Sequence, residues 1–390
     1  MPDLSEFQTQ NLILLIGTNP LPNYVAAQIL LKPGGHLYLV YTDETNEITE
    51  RLAAKLGLAM GTNTTKIHVD EAKSDNIFEQ VQRCAEGLHD VGLNYTGGTK
   101  MMAVHAYRAV EQVCPKAVFS YLDARSLKMI IEKKRQLQQE IPVALYIELD
   151  IQTLLQLHGY TLKHDSIQKA MYPDICKTLA KIGTKWRNWC DNNLRSGPGT
   201  SLKKKTELRA VSLDDVEEIN WQGCCTLHEL ASKWKKKEDE VAKWLDGKWL
   251  EHYTLWALQQ IASECQMHQA WMNIEAIKKN DNKDRSFELD VVAMRGYQLF
   301  AISCTTGYKK SPLKSKLFEA YVRARQMGGD EARVGLVSCA PKDNPDSNPS
   351  SIQSEIEEAW DAQGKVRVFG AEHLPDLPTY LKDWFDSQLQ

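Results

Sequence analysis

The first 150 residues alternate between short apolar runs and amphipathic stretches, and this alternation limits the possible folds more than any other feature of the chain. The apolar run at residues 12–16 precedes a loop and a helical pattern at 23–31, and the same order then recurs. Strands that alternate with helices form a mostly parallel sheet covered on both faces. We therefore predict a doubly wound α/β domain over residues 1–150. Its further strands are predicted at residues 36–41, 65–69, 91–95, 117–122, 128–132 and 144–149.

Residues 151–246 are predicted to form a helical linker. Helical patterns cover residues 151–193 and 227–245, and the run Ser-Gly-Pro-Gly-Thr at 196–200 interrupts them. Four lysines between residues 233 and 237 make a basic run, which is more often a solvated helix face than a contact to nucleic acid.

Residues 247–390 predict a second α/β domain in the order helix, three-stranded meander, helix, strand. This order resembles the nuclease cores of the restriction-endonuclease type. The predicted helices lie at residues 247–268 and 314–327, and the predicted strands at 271–276, 288–294, 298–304, 333–338 and 366–369.

Composition excludes several classes of protein. With 47 lysines and arginines against 51 aspartates and glutamates, the net charge of −4 lacks the basic excess of a protein that coats nucleic acid. No stretch reaches the roughly 18 consecutive apolar residues of a membrane span, and the first residues lack a signal peptide. The nine cysteines contain no C-x-x-C pair, so neither a disulfide framework nor a zinc site is indicated. We expect a cytoplasmic protein without a membrane partner.

Two loops of the first domain have the chemistry of an anion site. Gly17-Thr18-Asn19-Pro20 follows the first strand, and the loop from Thr96 to Lys100 follows the fourth predicted strand. Ligands of open parallel sheets bind at the carboxyl ends of the strands, where helix N-termini favour anions. Glycines let a backbone approach closely, hydroxyls donate hydrogen bonds, and lysine supplies a cation. This predicts a phosphate-bearing ligand, although the P-loop and G-x-G-x-x-G patterns are both absent.

The segment Asn-Tyr-Thr-Gly-Gly-Thr-Lys-Met-Met at residues 94–102, together with Thr18-Asn19, is similar to the CRISPR-associated Rossmann-fold (CARF) sensor domain. The resemblance implies a homodimer that binds a cyclic oligoadenylate across its two-fold axis, with cyclic tetra-adenylate as the activator by analogy. The residues it implies as ligand contacts are Thr18, Asn19, Asn94, Thr96, Gly97, Gly98, Thr99 and Lys100.

Two carboxylates of the third section are candidates for a metal site. Glu251 falls on the predicted helix and Asp290 on a predicted strand, where Glu288 points to the same face. Clustered carboxylates bind Mg²⁺ or Mn²⁺, which polarise a phosphodiester and generate hydroxide. A Glu-x-Asp pair on a strand is by itself more often a solvated face.

The spacing of Glu251, Asp290 and the strand ending at Ser303-Cys304-Thr305 is similar to the PD-(D/E)xK nuclease domain that is fused to CARF sensors. The resemblance implies a metal-dependent endonuclease of DNA and/or RNA in type III CRISPR antiviral defence, switched on by the cyclic nucleotide. It implies Glu251, Asp290 and Ser303 as the positions around the metal.

The lysine of the third nuclease motif is missing at Ser303-Cys304-Thr305. Lys309, Lys310, Lys314 and Lys316 follow, and we predict that Lys310 and Lys314 replace it. The alternative is a ligand-controlled nucleic-acid-binding protein with a catalytically decayed nuclease fold. A sensor that slowly degrades its own ligand is a third possibility, because a 2′-hydroxyl held in line for attack needs few protein groups.

Overall fold

The structure, a computed structural model, contains two sheets with helices packed on them and a helical segment between. It describes residues 4–58, 61–133, 137–197, 201–279, 284–344 and 347–388. Within these ranges, none of the helices has the length and apolar character needed to cross a membrane.

The first sheet has seven strands in the order β3-β2-β1-β4-β5-β6-β7. Strands β1 to β5 pair in parallel, whereas β6 and β7 are antiparallel additions at one edge. This confirms the doubly wound α/β prediction. Its elements are β1 (Thr9–Leu15), α1 (Leu21–Leu30), β2 (Leu31–Tyr41), α2 (Asn46–Lys55), β3 (Thr64–His68), α3 (Ser74–Ala85), β4 (Val91–Asn94), α4 (Lys100–Val113), β5 (Val118–Asp123), β6 (Lys128–Lys133) and β7 (Gln139–Pro142).

The predicted strand at residues 144–149 is wrong. This segment leaves the first sheet after β7 and packs against the hairpin turn at Gly296 of the second sheet. The Leu149 amide donates to the Gly296 carbonyl over 3.0 Å, and the Leu149 side chain is buried. Ala144, Tyr146 and Ile147 are half-buried against the shared core and Glu148 is exposed, so the apolar residues of this segment pack on the core without pairing as a strand.

The segment between the sheets is largely helical, but it also adds a short strand. Strand β8 pairs with the second sheet, so a helix throughout residues 151–193 is not observed. In the predicted break at 196–200, residues 198–200 lie outside the described residues. Its elements are α5 (Ile151–Leu157), β8 (Thr161–Leu162), α6 (Pro173–Ile182), α7 (Thr184–Asn193), α8 (Lys205–Leu208), α9 (Leu227–Trp234), α10 (Glu238–Lys243) and a π-helical turn (Trp244–Lys248).

The second sheet has six strands in the order β13-β12-β11-β10-β9-β8. Strands β8 to β11 are antiparallel, and β12 and β13 continue in parallel from β11. This confirms the predicted meander, and the last two strands have the predicted bounds. Its elements are α11 (Trp249–Ile261), β9 (Gln269–Lys278), β10 (Arg285–Arg295), β11 (Gln298–Thr305), α12 (Lys310–Gly328), β12 (Arg333–Ser338), α13 (Pro349–Trp360), β13 (Val366–Phe369) and α14 (Leu377–Asp386).

The two sheets share a continuous apolar core. One cluster of buried side chains includes Leu12 and Leu14 of β1 together with Leu289 of β10 and Leu336 of β12. Since burial of apolar area is the main stabilising contribution to folding, the sheets stabilise each other. Their relative position follows from this packing.

Replacing Gly296 by alanine is expected to loosen this packing. Gly296 has φ +59°, and an added Cβ would overlap the carbonyl of Ala144. Gly364→Ala is the matched control, because Gly364 has φ +71° and nothing within 4 Å of the Cβ position. We expect the free energy of unfolding to fall by about 1 kcal/mol in the control, from backbone strain alone. In Gly296→Ala it should fall by at least about 3 kcal/mol. Urea unfolding measures both, and equal losses would contradict the close contact.

Candidate functional site

The loops that follow β1 and β4 pack backbone against backbone. A Cβ on Gly17 would lie 3.0 Å from the Gly98 amide nitrogen, and one on Gly97 would overlap the Leu15 carbonyl. Gly98 has φ +72°, a conformation that favours glycine. Only glycines at these three positions allow the two loops to meet at the carboxyl edge of the sheet.

Asn94 and Thr96 hold the second loop in place. The Asn94 side chain is fully buried, donates to Ser120 Oγ over 3.0 Å, and accepts from the Thr96 amide over 3.3 Å. Thr96 Oγ1 accepts from the Leu122 amide over 2.7 Å. Asn94 therefore supports the loop from beneath, instead of the direct ligand contact that we predicted for it.

Thr18, Thr99 and Lys100 are exposed at the same edge. Thr99 caps α4, because its Oγ1 accepts from the Met102 amide over 3.2 Å, and Lys100 is the first residue of that helix. The side chains of Thr18 and Lys100 form no hydrogen bond or ion pair with another described residue. The positive end of α4, its capping hydroxyl and an ammonium thus meet at one surface, an arrangement that binds anions.

Asn19 is turned towards the second domain. Its Oδ1 accepts from the Leu21 amide over 3.0 Å, and its Nδ2 lies against Gly329 in the turn that follows α12. This predicted ligand residue is therefore also a contact between the two domains.

Asn23 of α1 was missed by the sequence analysis. Its buried Nδ2 donates to the Leu15 carbonyl over 2.9 Å, its amide lies beside Gly97, and its Oδ1 has no partner among the described residues. A single buried asparagine on a helix has no spacing pattern that would have identified it.

Glu251 lies in an acidic cluster of the second domain. The Glu251 carboxyl is buried, and the Lys248 ammonium donates to its Oε2 over 3.0 Å and lies 3.5 Å from Glu288 Oε1. Burial raises the pKa of Glu251 to about 7, with Asp290 raising it further and Lys248 lowering it. The sequence analysis missed Lys248, although its i,i+3 spacing to Glu251 places both on one helix face.

Asp290 of β10 is oriented by the neighbouring strand. Its Oδ2 accepts from Ser303 Oγ and from the Cys304 amide, both over 2.8 Å, and lies 3.8 Å from Lys316 Nζ. Ser303 thus donates its hydroxyl hydrogen to Asp290, and its predicted position beside a metal stays a prediction. Cys304 is buried with its pKa raised well above the ordinary value, so it is not a nucleophile.

The structure brings Lys316 to this cluster and not the two lysines that we predicted. Lys310 and Lys314 both pair with Glu355 of α13, the first over 2.6 Å. Lys316 lines a cavity with Glu288, Asp290 and Ser303. Residues 314 and 316 are two apart on α12 and therefore point about 200° away from each other.

The oxygen ligands present fit a Mg²⁺ or Mn²⁺ ion that is shared with a phosphate. All bonds to Asp290 named above go to Oδ2, which leaves Oδ1 for a cation, and the buried Glu251 adds a second carboxylate. Mg²⁺ in proteins is often held by one or two carboxylates plus substrate phosphates. Among the described residues, no three acidic, histidine or cysteine side chains converge as a closed metal cage.

Comparison with protein families identifies both domains. Residues 12–148 match the model of the Card1 CARF domain, and residues 238–388 match that of the Card1-like endonuclease domain. These matches confirm the order of domains that the sequence resemblance indicated. No curated protein matches the chain significantly.

Solved structures share the fold over nearly the whole chain. Protein VC1899 from Vibrio cholerae is 18% identical with a TM-score of 0.71, covering 97% of this chain and 98% of that one. Can2 from Sulfobacillus thermosulfidooxidans, in complex with cyclic tetra-adenylate, is 18% identical with a TM-score of 0.67, covering 97% and 99%. A type III CRISPR defence DNA nuclease activated by cyclic oligoadenylate is 19% identical with a TM-score of 0.50, covering 89% and 48%.

Stability is expected to depend on pH through Glu251. Because burial raises its pKa from 4.5 to about 7, the folded chain keeps a proton that the unfolded chain has released between these values. Stability from this group is therefore greatest below about pH 4.5 and falls as the pH rises through about 7, by up to about 3 kcal/mol. Glu251→Gln removes this dependence, whereas Glu288→Gln at the half-exposed carboxyl controls for the lost charge. Parallel curves of unfolding free energy against pH for wild type and Glu251→Gln would contradict the assignment.

Proposed function

We propose that this chain, a CARF-domain protein with a Card1-like endonuclease domain, is an endonuclease of type III CRISPR defence that a cyclic oligoadenylate switches on. The observation that carries the proposal is the presence of an anion-binding edge and an acidic cluster in two domains of one chain. The anion-binding edge lies in the CARF domain, and the acidic cluster lies in the endonuclease domain.

The sensor half of the proposal is supported by the exposed groups around α4. Thr18, Thr99 and Lys100 offer hydroxyls and an ammonium for the phosphates and riboses of the ring. Met101 and Val104 on the same helix are 42% and 55% exposed. An apolar surface therefore borders the ligand edge, by which we mean the carboxyl edge of the first sheet at Thr18, Thr99 and Lys100. A second copy covering this surface would form a homodimer, whose two-fold symmetry suits a symmetric ring such as cyclic tetra-adenylate.

The nuclease half is supported by the arrangement around Asp290. When bound, Mg²⁺ or Mn²⁺ polarises the phosphate and lowers the pKa of a bound water. Asp290 and Glu251 would hold the ion, and the hydrogen bonds from Ser303 and Cys304 keep Asp290 in one orientation. Burial raises the pKa of Glu251, and a bound dication would favour its carboxylate form, which is the form that binds the ion.

A second candidate function rests on Ser303-Cys304-Thr305 at the end of β11. The expected lysine is absent there, and Ser303 bonds Asp290 instead of contributing a further carboxylate. On this alternative, the domain binds nucleic acid under control of the ligand without cutting it.

A cleavage assay separates the two candidates. Supercoiled plasmid, single-stranded DNA and single-stranded RNA are incubated with Mn²⁺, with and without cyclic tetra-adenylate. We expect ligand-dependent cleavage by wild type and at least about a hundredfold loss in Asp290→Ala, because a metal-binding carboxylate is removed. Asp383→Ala, at an exposed aspartate of α14, is the control. Tight ligand binding without any cleavage by wild type would favour the non-cutting alternative.

Lys316 is expected to replace the missing motif lysine. Lys316→Met should lower cleavage by about tenfold to a hundredfold, because an ammonium beside Asp290 no longer neutralises the phosphate. Lys310→Met on the same helix is the matched control, since Lys310 pairs with Glu355. Adding Thr305→Lys to Lys316→Met returns a lysine to the end of β11 and should restore part of the rate. A larger loss in Lys310→Met than in Lys316→Met would refute this assignment.

A further inference from the structure

A groove of about 750 Å³ lies where the β5–β6 turn of the first domain meets the second domain. It shares no lining residue with the ligand edge or with the acidic cluster. Side chains from both domains line it, among them Arg125, Arg325, Arg333, Trp360, Lys365 and Gln388.

The groove has an excess of positive charge. Four cationic side chains line it, against the two carboxylates of Asp330 and Asp361. Asp330 is shared, because Arg325 pairs with it and the Lys365 ammonium lies 4.0 Å away. Arg125 is exposed and forms no ion pair with another described residue. Among the lining side chains the cations therefore outnumber the carboxylates by four to two, and Asp123, outside the lining, also interacts with Arg125.

Arg333 contributes a buried charge. It is 5% exposed, and its Nη1 donates to the backbone carbonyls of Glu331 and Ala332 over 2.8 and 3.2 Å, while its Nε bonds Gln388. Burial raises the pKa of the nearby Glu331 to about 7, so that carboxyl is only partly charged at neutral pH. A buried guanidinium that bonds neutral groups keeps its charge and is stabilised by an anion.

Lys365 is also partly buried and lies close to the other cations of the groove. Burial lowers the pKa of its ammonium, Arg333, Arg325 and Arg125 lower it further, and Asp330 alone raises it. An anion within the groove would relieve this repulsion between cations contributed by the two domains.

We propose that this groove binds the phosphodiester of a nucleotide chain, with Arg125 of the first domain and Lys365 of the second domain contacting the same ligand and the buried Arg333 adding its positive charge. Guanidinium groups bind phosphate through paired hydrogen bonds. Trp360 and Gln388 add an aromatic ring and an amide, the groups that contact bases. The volume lies within the range of small-ligand pockets, so one or two nucleotides fit.

The groove and the ligand edge meet at one turn of the chain. Gly329 of this turn contacts Asn19 in the loop after β1, and the next residue, Asp330, lines the groove. A phosphodiester held from both domains stabilises their present arrangement, because a ligand favours the state that it binds more tightly. The groove and the loop after β1 thus contact adjacent residues of the same turn.

Binding to the full-length protein in EDTA tests the site without cleavage. The probes are fluorescein-labelled dA12 and rA12 oligonucleotides, followed by anisotropy, and cyclic tetra-adenylate, followed by calorimetry. We expect Arg125→Ala and Lys365→Met each to weaken binding of at least one probe by about tenfold or more. For an oligonucleotide, the slope of log Kd against log salt should also fall by about 0.7 per variant.

Lys128→Met is the control, because Lys128 of β6 pairs with Glu140 over 3.0 Å and lies outside the groove lining. If the variants bind only the linear oligonucleotides more weakly, the phosphodiester comes from a nucleic-acid strand. If they bind cyclic tetra-adenylate more weakly, it comes from the cyclic nucleotide. Wild-type affinity of both groove variants for all three probes would overturn the proposal. Lys100→Ala tests the loop after β4 separately. Because EDTA prevents cleavage, the binding outcome does not depend on whether the protein cleaves.

Discussion

The hairpin turn between β10 and β11 packs against the chain that leaves the first domain, and the relative position of both sites depends on this contact. At Gly296 the approach leaves no room for a Cβ, and the Leu149 amide bonds the Gly296 carbonyl. The shared apolar core extends from this contact into both sheets. A second contact, Asn19 against Gly329, joins the ligand edge to the end of α12. Helix α12 also carries Lys316, so one element connects the sensor loop to the acidic cluster.

Burial disfavours the charged form of a side chain at both sites of the second domain. At Glu251 it disfavours the carboxylate, and Lys248 and Lys316 lie in the same cluster to compensate the acidic groups. At the interdomain groove burial lowers the pKa of the Arg333 guanidinium, whose hydrogen bonds go to backbone carbonyls and to Gln388. The net charge of −4 thus averages over an acidic site and a basic groove. Any contact to nucleic acid is local, and composition gives no information about its place.

Local sequence patterns predicted the strands correctly where the strand pairs with neighbours in a sheet. The bounds of β12 and β13 match the prediction because each strand is a short segment rich in buried valine, leucine or phenylalanine. The run at 144–149 is not a strand, because its apolar side chains pack half-buried against the shared core and only Leu149 is fully buried. Asn94 was identified from the loop motif, but its buried position beneath the loop follows from the neighbouring strand β5.

The sequence by itself determined the class of each domain, their order, and the residue types at the ligand edge and the acidic cluster. These follow from periodicity and from short motifs, which are local along the chain. Only the tertiary structure decided that Lys316 accompanies Asp290 while Lys310 and Lys314 pair with Glu355. It also decided that Arg125 shares a groove with Arg333 and Lys365. The reason is that these contacts join residues far apart in sequence, and their side chains meet only when the helices and sheets pack.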